Sequence, residues 1–253
     1  MVENKVYEVL KFSFEIVLYL IITIVSVMFT WASISNIIFS EKVKSFIDSA
    51  EFESEENNIV YYTVEDDSLD EATITKKEVI DNIYKSPILG APGDIFVMPQ
   101  SRMEYVPFCS SFITYLFGGH AGIVSDNEQL IESMGGSLDE GYVFLNETDL
   151  YSEERTVIGL RVKAPYEDRK KALESAKGLI GKRYNYWFII NTKDAYYCMD
   201  ICSRIYDEEF GLDYKLDENS FHATVQDFLF SKDTKISFVK YKHEGKTYIY
   251  YLK

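Results

Sequence analysis

A long uncharged apolar run near the amino terminus most limits how this chain can fold. From Ile16 to Phe39 there is no Asp, Glu, Lys or Arg, and Ile, Val, Leu and Phe dominate. About 20 such residues in a helix cross the hydrocarbon core of a bilayer. Tyr19 and Trp31 are residue types that favour the membrane interface. We therefore expect residues 16–39 to form a single transmembrane anchor.

A cleaved signal peptide is the competing interpretation of the same run. Lys5 and Lys11 would form its basic region, and Thr30-Trp31-Ala32 would be its cleavage site. The run is longer than the roughly 7–15 apolar residues of a signal peptide, so the uncleaved anchor is favoured. Nothing later in the sequence resembles a second span, which predicts a single-pass protein.

The remaining chain divides by composition into a tail, a stalk and one domain. Residues 1–15 form the N-terminal tail, and residues 40–58, which are acidic and aperiodic, are interpreted as a solvated stalk. Residues 59–253 are enough for a single domain with its own hydrophobic core. No internal repeat or Gly-rich phosphate loop interrupts this domain.

The charged residues restrict the orientation of the chain in a membrane and the classes of partner that it can bind. Lys5 and Lys11 precede the run, whereas Lys42 and Lys44 follow it, so the positive-inside count narrowly favours a cytoplasmic amino terminus and an extracytoplasmic domain. The formal net charge of −15 argues against nucleic acid as a partner and against simple electrostatic adsorption to anionic lipid. No oligomeric state is predicted.

Four short segments carry chemically reactive residue types in a fixed order. Pro92-Gly93-Asp94 leads into an apolar run, His120 opens the run Ala121-Gly122-Ile123-Val124, Glu132 lies in the next run, and Cys198 comes last. A thiol, an imidazole and a carboxylate are the minimal set for nucleophilic acyl transfer, because the base takes the thiol proton and the carboxylate orients the base.

The segments that contain His120 and Glu132 predict a β-hairpin. Two short apolar runs flank the polar turn Ser125-Asp126-Asn127-Glu128. Directly opposed side chains on paired strands approach to roughly 5 Å, so the imidazole and the carboxylate are expected to lie side by side. Glu132 has the alternative interpretation of an ordinary exposed strand residue, and Asp126 and Glu128 are competing orienting groups in the turn.

Cys198 is predicted to begin a helix, because Ile201, Ile205 and Tyr206 follow it at helical spacing. The positive end of a helix dipole and its unpaired N–H groups favour a negatively charged sulfur and can donate to an oxyanion. Tyr197, Tyr184 and the backbone N–H of Cys198 are the candidates for the oxyanion or substrate side.

The other cysteines and histidines have simpler interpretations. Cys109 is expected on the buried face of a helix near residues 110–117, and Cys202 in the core. Cys198 and Cys202, one helical turn apart, cannot supply the four ligands of a zinc site, so no metal and no cofactor is expected. His222 is a weaker rival base, and His243 is expected in an exposed turn of a C-terminal hairpin.

The sequence resembles the circularly permuted branch of the NlpC/P60 papain-like superfamily, in particular the YiiX/YebB-like cysteine hydrolases. The matching stretches are Pro92-Gly93-Asp94-Ile95-Phe96-Val97, His120-Ala121-Gly122-Ile123-Val124 and Tyr197-Cys198-Met199-Asp200-Ile201. The resemblance extends from about Pro92 to Phe238. It departs from the family at Met199, where Ser is usual, and at Asp200, where Glu is usual. In unpermuted relatives the cysteine precedes the Pro-Gly-Asp strand, which argues against Cys109.

The resemblance implies an α+β fold, namely a circularly permuted papain-like domain with a central antiparallel sheet, preceded here by one transmembrane helix. It also implies a cysteine hydrolase that cleaves a peptide or isopeptide amide, including cell-wall peptides, through a thioester on Cys198, with His120 as base and Glu132 as its orienting group. Relatives similar to lecithin-retinol acyltransferase act on lipid acyl groups, which is the alternative substrate class. An inactive, membrane-tethered binding module is the non-enzymatic alternative.

Overall fold

The structure is a computed structural model of the 253-residue chain. It describes residues 2–66, 90–99, 119–126, 129–136, 141–146, 156–188, 190, 192–217 and 223–253.

The described part of the chain is an α+β arrangement of helices on a large sheet. The helices are α1 (Val2–Asp48), α2 (Tyr166–Gly178), α3 (Cys198–Arg204) and α4 (Val225–Phe230), with a 3₁₀ turn at Glu208–Phe210. The strands are β1 (Glu51–Glu56), β2 (Ile59–Val64), β3 (Ile95–Met98), β4 (His120–Val124), β5 (Leu130–Met134), β6 (Tyr142–Asn146), β7 (Val157–Val162), β8 (Arg183–Tyr184), β9 (Ala195–Tyr196), β10 (Thr234–His243) and β11 (Lys246–Leu252).

The strands form one sheet in the order β1-β2-β11-β10-β7-β3-β4-β5-β6-β8-β9. The central strands from β11 to β6 are antiparallel, as expected. Two pairings are parallel, β2 with β11 and β8 with β9. The first of these joins a strand near the amino terminus to the last strand of the chain.

Side-chain alternation divides the hydrophobic core between two clusters. In β3, Ile95 and Val97 belong to the larger cluster, which also contains residues of α2, α3 and α4, whereas Phe96 and Met98 belong to the smaller one. All four β3 side chains are buried, so this strand is covered on both faces. The helix that carries Cys198 is therefore held by the larger cluster.

The Pro-Gly-Asp segment has a structural role in the described chain. Asp94 is fully buried and accepts hydrogen bonds from Arg161 (2.9 and 3.1 Å), from Arg169 (3.3 Å) and from the Ala91 N–H (2.9 Å). A buried carboxylate is tolerated only when such partners compensate its lost hydration. This ion cluster joins the start of β3 to β7 and α2.

The amino-terminal helix is long and apolar enough to cross a membrane. Its 47 residues extend for about 70 Å at 1.5 Å per residue. Most of its large apolar side chains before Phe39 are exposed, including Ile16, Leu20 and Trp31.

The carboxyl-terminal part of α1 packs on the domain, which differs from the expectation that all of residues 16–39 face lipid. Asn36 accepts a hydrogen bond from Gln226 of α4 (3.2 Å), and Lys42 donates to the Leu229 carbonyl (2.8 Å). Apolar side chains on the same stretch pack against the core, namely Phe39, Val43, Phe46 and Ile47. These side chains recur at helical spacing, so α1 is apolar on the face that meets α4 as well as on the face that would meet lipid.

The predicted acidic stalk at residues 40–58 is wrong. Residues 40–48 continue α1, and β1 pairs antiparallel with β2 at the sheet edge. The acidic side chains have partners there: Glu53 accepts from the Tyr251 hydroxyl, and Glu55 pairs with Lys246, each at 2.6 Å. Charged residues are common on edge strands because they discourage further strand pairing.

Candidate active site

The β4–β5 hairpin brings His120 to Glu132. The His120 Nε2 atom lies 3.2 Å from Glu132 Oε1. The strand register places Gly122, and not His120, directly opposite Glu132, so the two side chains are diagonal neighbours on one face. Gly122 has no side chain, and diagonal positions remain within reach of a long side chain such as Glu.

A glycine in front of β4 sets the position of His120. Gly119 has a φ of +69°, a region that favours glycine, and a Cβ built there would lie 2.1 Å from the Met98 carbonyl oxygen. Any other residue would force β4 away from the end of β3. His120 is therefore held at the first position of its strand by a close backbone approach.

Asn146 is a site residue that the sequence analysis missed. It is the last residue of β6, and its Nδ2 atom donates to Glu132 Oε2 at 2.9 Å. Glu132 is fully buried, and its two oxygens contact His120 and Asn146, so the carboxylate is fixed in one orientation. Asn146 can be identified only from the register in which β5 and β6 pair, and the sequence pattern does not indicate that register.

Cys198 is the first residue of α3, directly after the extended N-cap Tyr197. Its side chain interacts with the His120 imidazole and raises the pKa of that ring. Because Nε2 of the imidazole faces Glu132, Nδ1 is the nitrogen left for the sulfur. The structure thus brings together the three residues predicted to be catalytic.

The electrostatics of the site favour a protonated imidazole. Burial lowers the pKa of His120, but the hydrogen bonds to Cys198 and Glu132 and the attraction to their negative charges outweigh burial and raise this pKa from 6.5 to about 9. At neutral pH His120 is therefore an imidazolium, the form that pairs with a thiolate and can give a proton to a leaving group.

Tyr197 and Tyr184, the predicted oxyanion or substrate residues, line the region around Cys198. The Tyr197 hydroxyl accepts a hydrogen bond from the Ala223 N–H at 2.7 Å, and its ring packs on Phe188 at 5.4 Å. Burial, and then the charge of Cys198, raise the pKa of Tyr184, which places Tyr184 within electrostatic reach of the sulfur. Within the described residues the Tyr184 hydroxyl has no hydrogen-bond partner, so it is the better candidate donor.

The rival residues that the structure describes are not placed to act. Cys202 is fully buried, and burial raises the pKa of its thiol well above the usual range. Asp126 pairs with Lys177 of α2, and His243 is exposed at the end of β10, beside the hairpin turn. Cys109, Glu128 and His222 lie outside the described residues.

Asp200, one of the departures from the family pattern, supports the helix of Cys198. Burial raises the pKa of Asp200 to about 6, while the neighbouring charge of Arg204, 3.3 Å away, opposes this rise. Arg204 also binds both oxygens of Glu209 and stacks on the Tyr196 ring at 4.3 Å. Asp200 thus helps to hold the first turns of α3.

Comparisons with known proteins give one structural similarity. No protein-family model matches the sequence, and no curated protein matches it. Among the described residues, no group of three or more His, Cys, Asp or Glu is arranged to hold a metal ion. The chain is similar to the crystal structure of the metalloprotein YiiX from Escherichia coli O157:H7, with a TM-score of 0.42 and 18% identity over 57% of this chain and 94% of that one.

Proposed function

We propose that this protein is a membrane-anchored cysteine hydrolase of the permuted papain-like, NlpC/P60 kind that cleaves an amide bond through a thioester on Cys198. The observation that carries the proposal is the connected series Cys198–His120–Glu132–Asn146, with the sulfur at a helix N-terminus and the carboxylate fully buried. A nucleophile, a base and an oriented third group are the requirements for this chemistry.

In the proposed acylation step, His120 holds the proton that it takes from the Cys198 thiol. The Cys198 sulfur attacks the carbonyl carbon of the substrate, and the carbonyl electron pair moves to oxygen. The backbone N–H of Cys198 and the Tyr184 hydroxyl are the donors proposed for that oxyanion. The tetrahedral intermediate collapses, the C–N bond breaks, and His120 gives its proton to the departing amine.

Deacylation reverses the proton movements. His120, now neutral, takes a proton from water, and the resulting hydroxide adds to the thioester carbon. Collapse of the second intermediate breaks the C–S bond and releases the acid, with the sulfur again a thiolate beside the imidazolium. Glu132 holds the imidazole in one orientation throughout and stabilises its positive charge, while Asn146 holds Glu132.

The protonation state of the resting site supports an amide substrate. An amine is a poor leaving group unless it is protonated as the C–N bond breaks. With a pKa of about 9, His120 carries the needed proton at neutral pH. A peptide or isopeptide, including a cell-wall peptide, is the proposed substrate class.

An acyl-lipid substrate is the second candidate, and the docking of α1 favours it. Asn36 of α1 contacts Gln226 of α4, and Ala223, just before α4, binds the Tyr197 hydroxyl next to Cys198. The nucleophile is thus connected through Tyr197, Ala223 and α4 to the helix proposed to cross the membrane. Ester hydrolysis or acyl transfer would use the same thioester.

Alkylation of the full-length protein in detergent tests whether Cys198 is activated. At a pH of about 5.5 an ordinary cysteine is roughly 0.1% thiolate, so iodoacetamide should label only an activated sulfur. We expect labelling that Cys198→Ala abolishes and that Cys202→Ala, the matched variant one helical turn away, preserves. Equal labelling of wild type and Cys198→Ala would refute the nucleophile. Absence of labelling would favour the inactive binding module.

Substrate screening distinguishes the two candidate classes. The full-length protein would be incubated with peptide, isopeptide and phospholipid pools, and products would be identified by mass spectrometry. Release of amines that requires Cys198 supports the amide proposal. Release of fatty acid or acyl transfer, with no amine released, would replace it by the acyl-lipid candidate.

A further inference from the structure

An uncharged aromatic turn lies next to the candidate active site. From Tyr184 to Thr192 the sequence contains no charged residue, and Trp187 at its tip is 72% exposed, with Ile190 54% exposed. Lys182 and Arg183 precede this segment, and Lys193 and Asp194 follow it, which leaves a positive excess beside the turn in a chain of net charge −15. Large exposed apolar side chains bordered by polar residues indicate an interaction surface.

The structure displays Trp187 on an ordered turn. The Asn185 Oδ1 atom accepts a hydrogen bond from the Trp187 N–H at 3.0 Å, and Asn185 Nδ2 donates to the Ile190 carbonyl at 2.9 Å. Asn185 is itself buried, and the Ile190 N–H reaches the Trp187 carbonyl at 3.3 Å. The buried side-chain amide of Asn185 thus binds the backbone on both sides of the turn, and these bonds keep Trp187 exposed.

A series of contacts connects this turn to the apolar helix α1. Phe188, next to Trp187, packs on the Tyr197 ring at 5.4 Å, and the Tyr197 hydroxyl binds the Ala223 N–H. Ala223 lies just before α4, whose Gln226 contacts Asn36 of α1. The turn is therefore connected through Tyr197 and α4 to the part of α1 that docks on the domain.

The direction of α4 shows which of its ends is nearer to the exposed part of α1. Gln226 contacts Asn36, and three residues later Leu229 contacts Lys42, so α4 runs beside α1 in the same direction. Asn36 and Lys42 are about 9 Å apart along the helix axis. The amino-terminal end of α4, which contacts Tyr197, is thus the end nearer to the lipid-exposed part of α1.

We propose that Trp187 and Ile190 form a second membrane contact, in which the turn enters the interfacial region of the bilayer that α1 crosses. Tryptophan favours the interfacial region, and basic residues beside such a segment favour the headgroup layer. A bilayer is the occupant because the turn is connected to the membrane-spanning helix through α4. The contact would hold the candidate active site at the membrane surface. This inference goes beyond hydrolase activity and does not depend on it.

Intrinsic fluorescence tests the contact directly, because the chain contains only two tryptophans, Trp31 and Trp187. The full-length Trp31→Phe variant, in which Trp187 is the single emitter, would be reconstituted in phosphatidylcholine vesicles with and without acyl chains brominated near the headgroup. We expect brominated lipid to quench Trp187 emission by at least about half. The emission maximum should also lie at a shorter wavelength than that of a tryptophan exposed to water. The matched Trp187→Phe variant reports Trp31 and confirms that α1 is inserted.

Two surface substitutions separate a membrane contact from unrelated quenching. In the Trp31→Phe background, Ile190→Lys should reduce the quenching by brominated lipid and increase the access of aqueous iodide to Trp187. Phe52→Lys, at a similarly exposed apolar position on β1, should change neither. Emission from Trp187 that brominated lipid leaves unchanged while iodide quenches it would overturn the proposal. That outcome would place Trp187 in water rather than in lipid and would leave the hydrolase proposal intact.

Discussion

The Glu132→Gln substitution tests the electrostatic design of the site most directly. The amide has nearly the same shape as the carboxylate but carries no charge, so it removes the attraction to the His120 imidazolium and retains a polar partner. The expected result is a lower pKa of His120. Because His120 is protonated below its pKa, the upper limb of the kcat/KM profile should then move to lower pH.

The size of the shift follows from the environment of His120. Its pKa rises from 6.5 to about 9 against a burial effect that lowers it, so Cys198 and Glu132 together favour the charged ring by at least about 3 kcal/mol. Cys198 is the larger contributor. If Glu132 supplies only a third, its loss is about 1 kcal/mol, which is nearly one pH unit. The limb is expected to move from about pH 9 to about pH 8.

Nuclear magnetic resonance titration of the imidazole signals measures this shift, because the chain contains only three histidines. Glu244→Gln is the matched control: it removes a carboxylate 3.8 Å from the exposed His243 and should leave the His120 signal unchanged. A His120 pKa that stays within about 0.3 of the wild-type value in Glu132→Gln would refute the proposed role of Glu132.

Three other substitutions or deletions follow from the described contacts. Asp94→Asn should lower the free energy of unfolding by about 3–5 kcal/mol, measured by urea denaturation, because two buried arginines lose this countercharge. Asn146→Ala should lower kcat about tenfold with little change in KM and should broaden the pH profile, because Glu132 is no longer held; an unchanged kcat would contradict this. Deleting residues 1–57 should abolish the cooperative thermal transition, whereas deleting residues 1–31 should preserve it. The reason is that only the longer deletion removes β1 and the docked part of α1. Equal melting of both proteins would show that this packing is dispensable.

The local elements of the site were predictable from sequence. The runs around His120 and Glu132 are short, apolar and separated by a polar turn, so their pairing needs no information from distant residues. The start of α3 at Cys198 likewise follows from helical spacing within ten residues. The structure places these elements where the pattern predicts them. The one difference is that His120 and Glu132 are diagonal neighbours and not directly opposed, which the pattern does not resolve.

The parts that were not predicted depend on contacts between distant segments. The segment 51–56 is acidic enough to resemble a solvated stalk, yet it forms a strand that pairs with β2. Two of its carboxylates accept hydrogen bonds from Lys246 and Tyr251, nearly 200 residues later. The docking face of α1 looks like part of a lipid-facing helix, since a core and a bilayer both select apolar side chains. Asn146 needed a strand register that no local pattern determines.

The parallel pairing of β2 with β11 has a consequence for biosynthesis. Residues Ile59–Val64 leave the ribosome about 180 residues before their partner Thr247–Leu252 is made. At a synthesis rate of about 5–20 residues per second, the nascent chain waits roughly 10–40 s between the two. Throughout that time α1 is already made, while one side of β2 lacks its β11 partner and the sheet remains open. Pairing of β2 with β11 is therefore a late step in folding, and a chain interrupted before Lys246 would leave that side of β2 without the strand that covers it here.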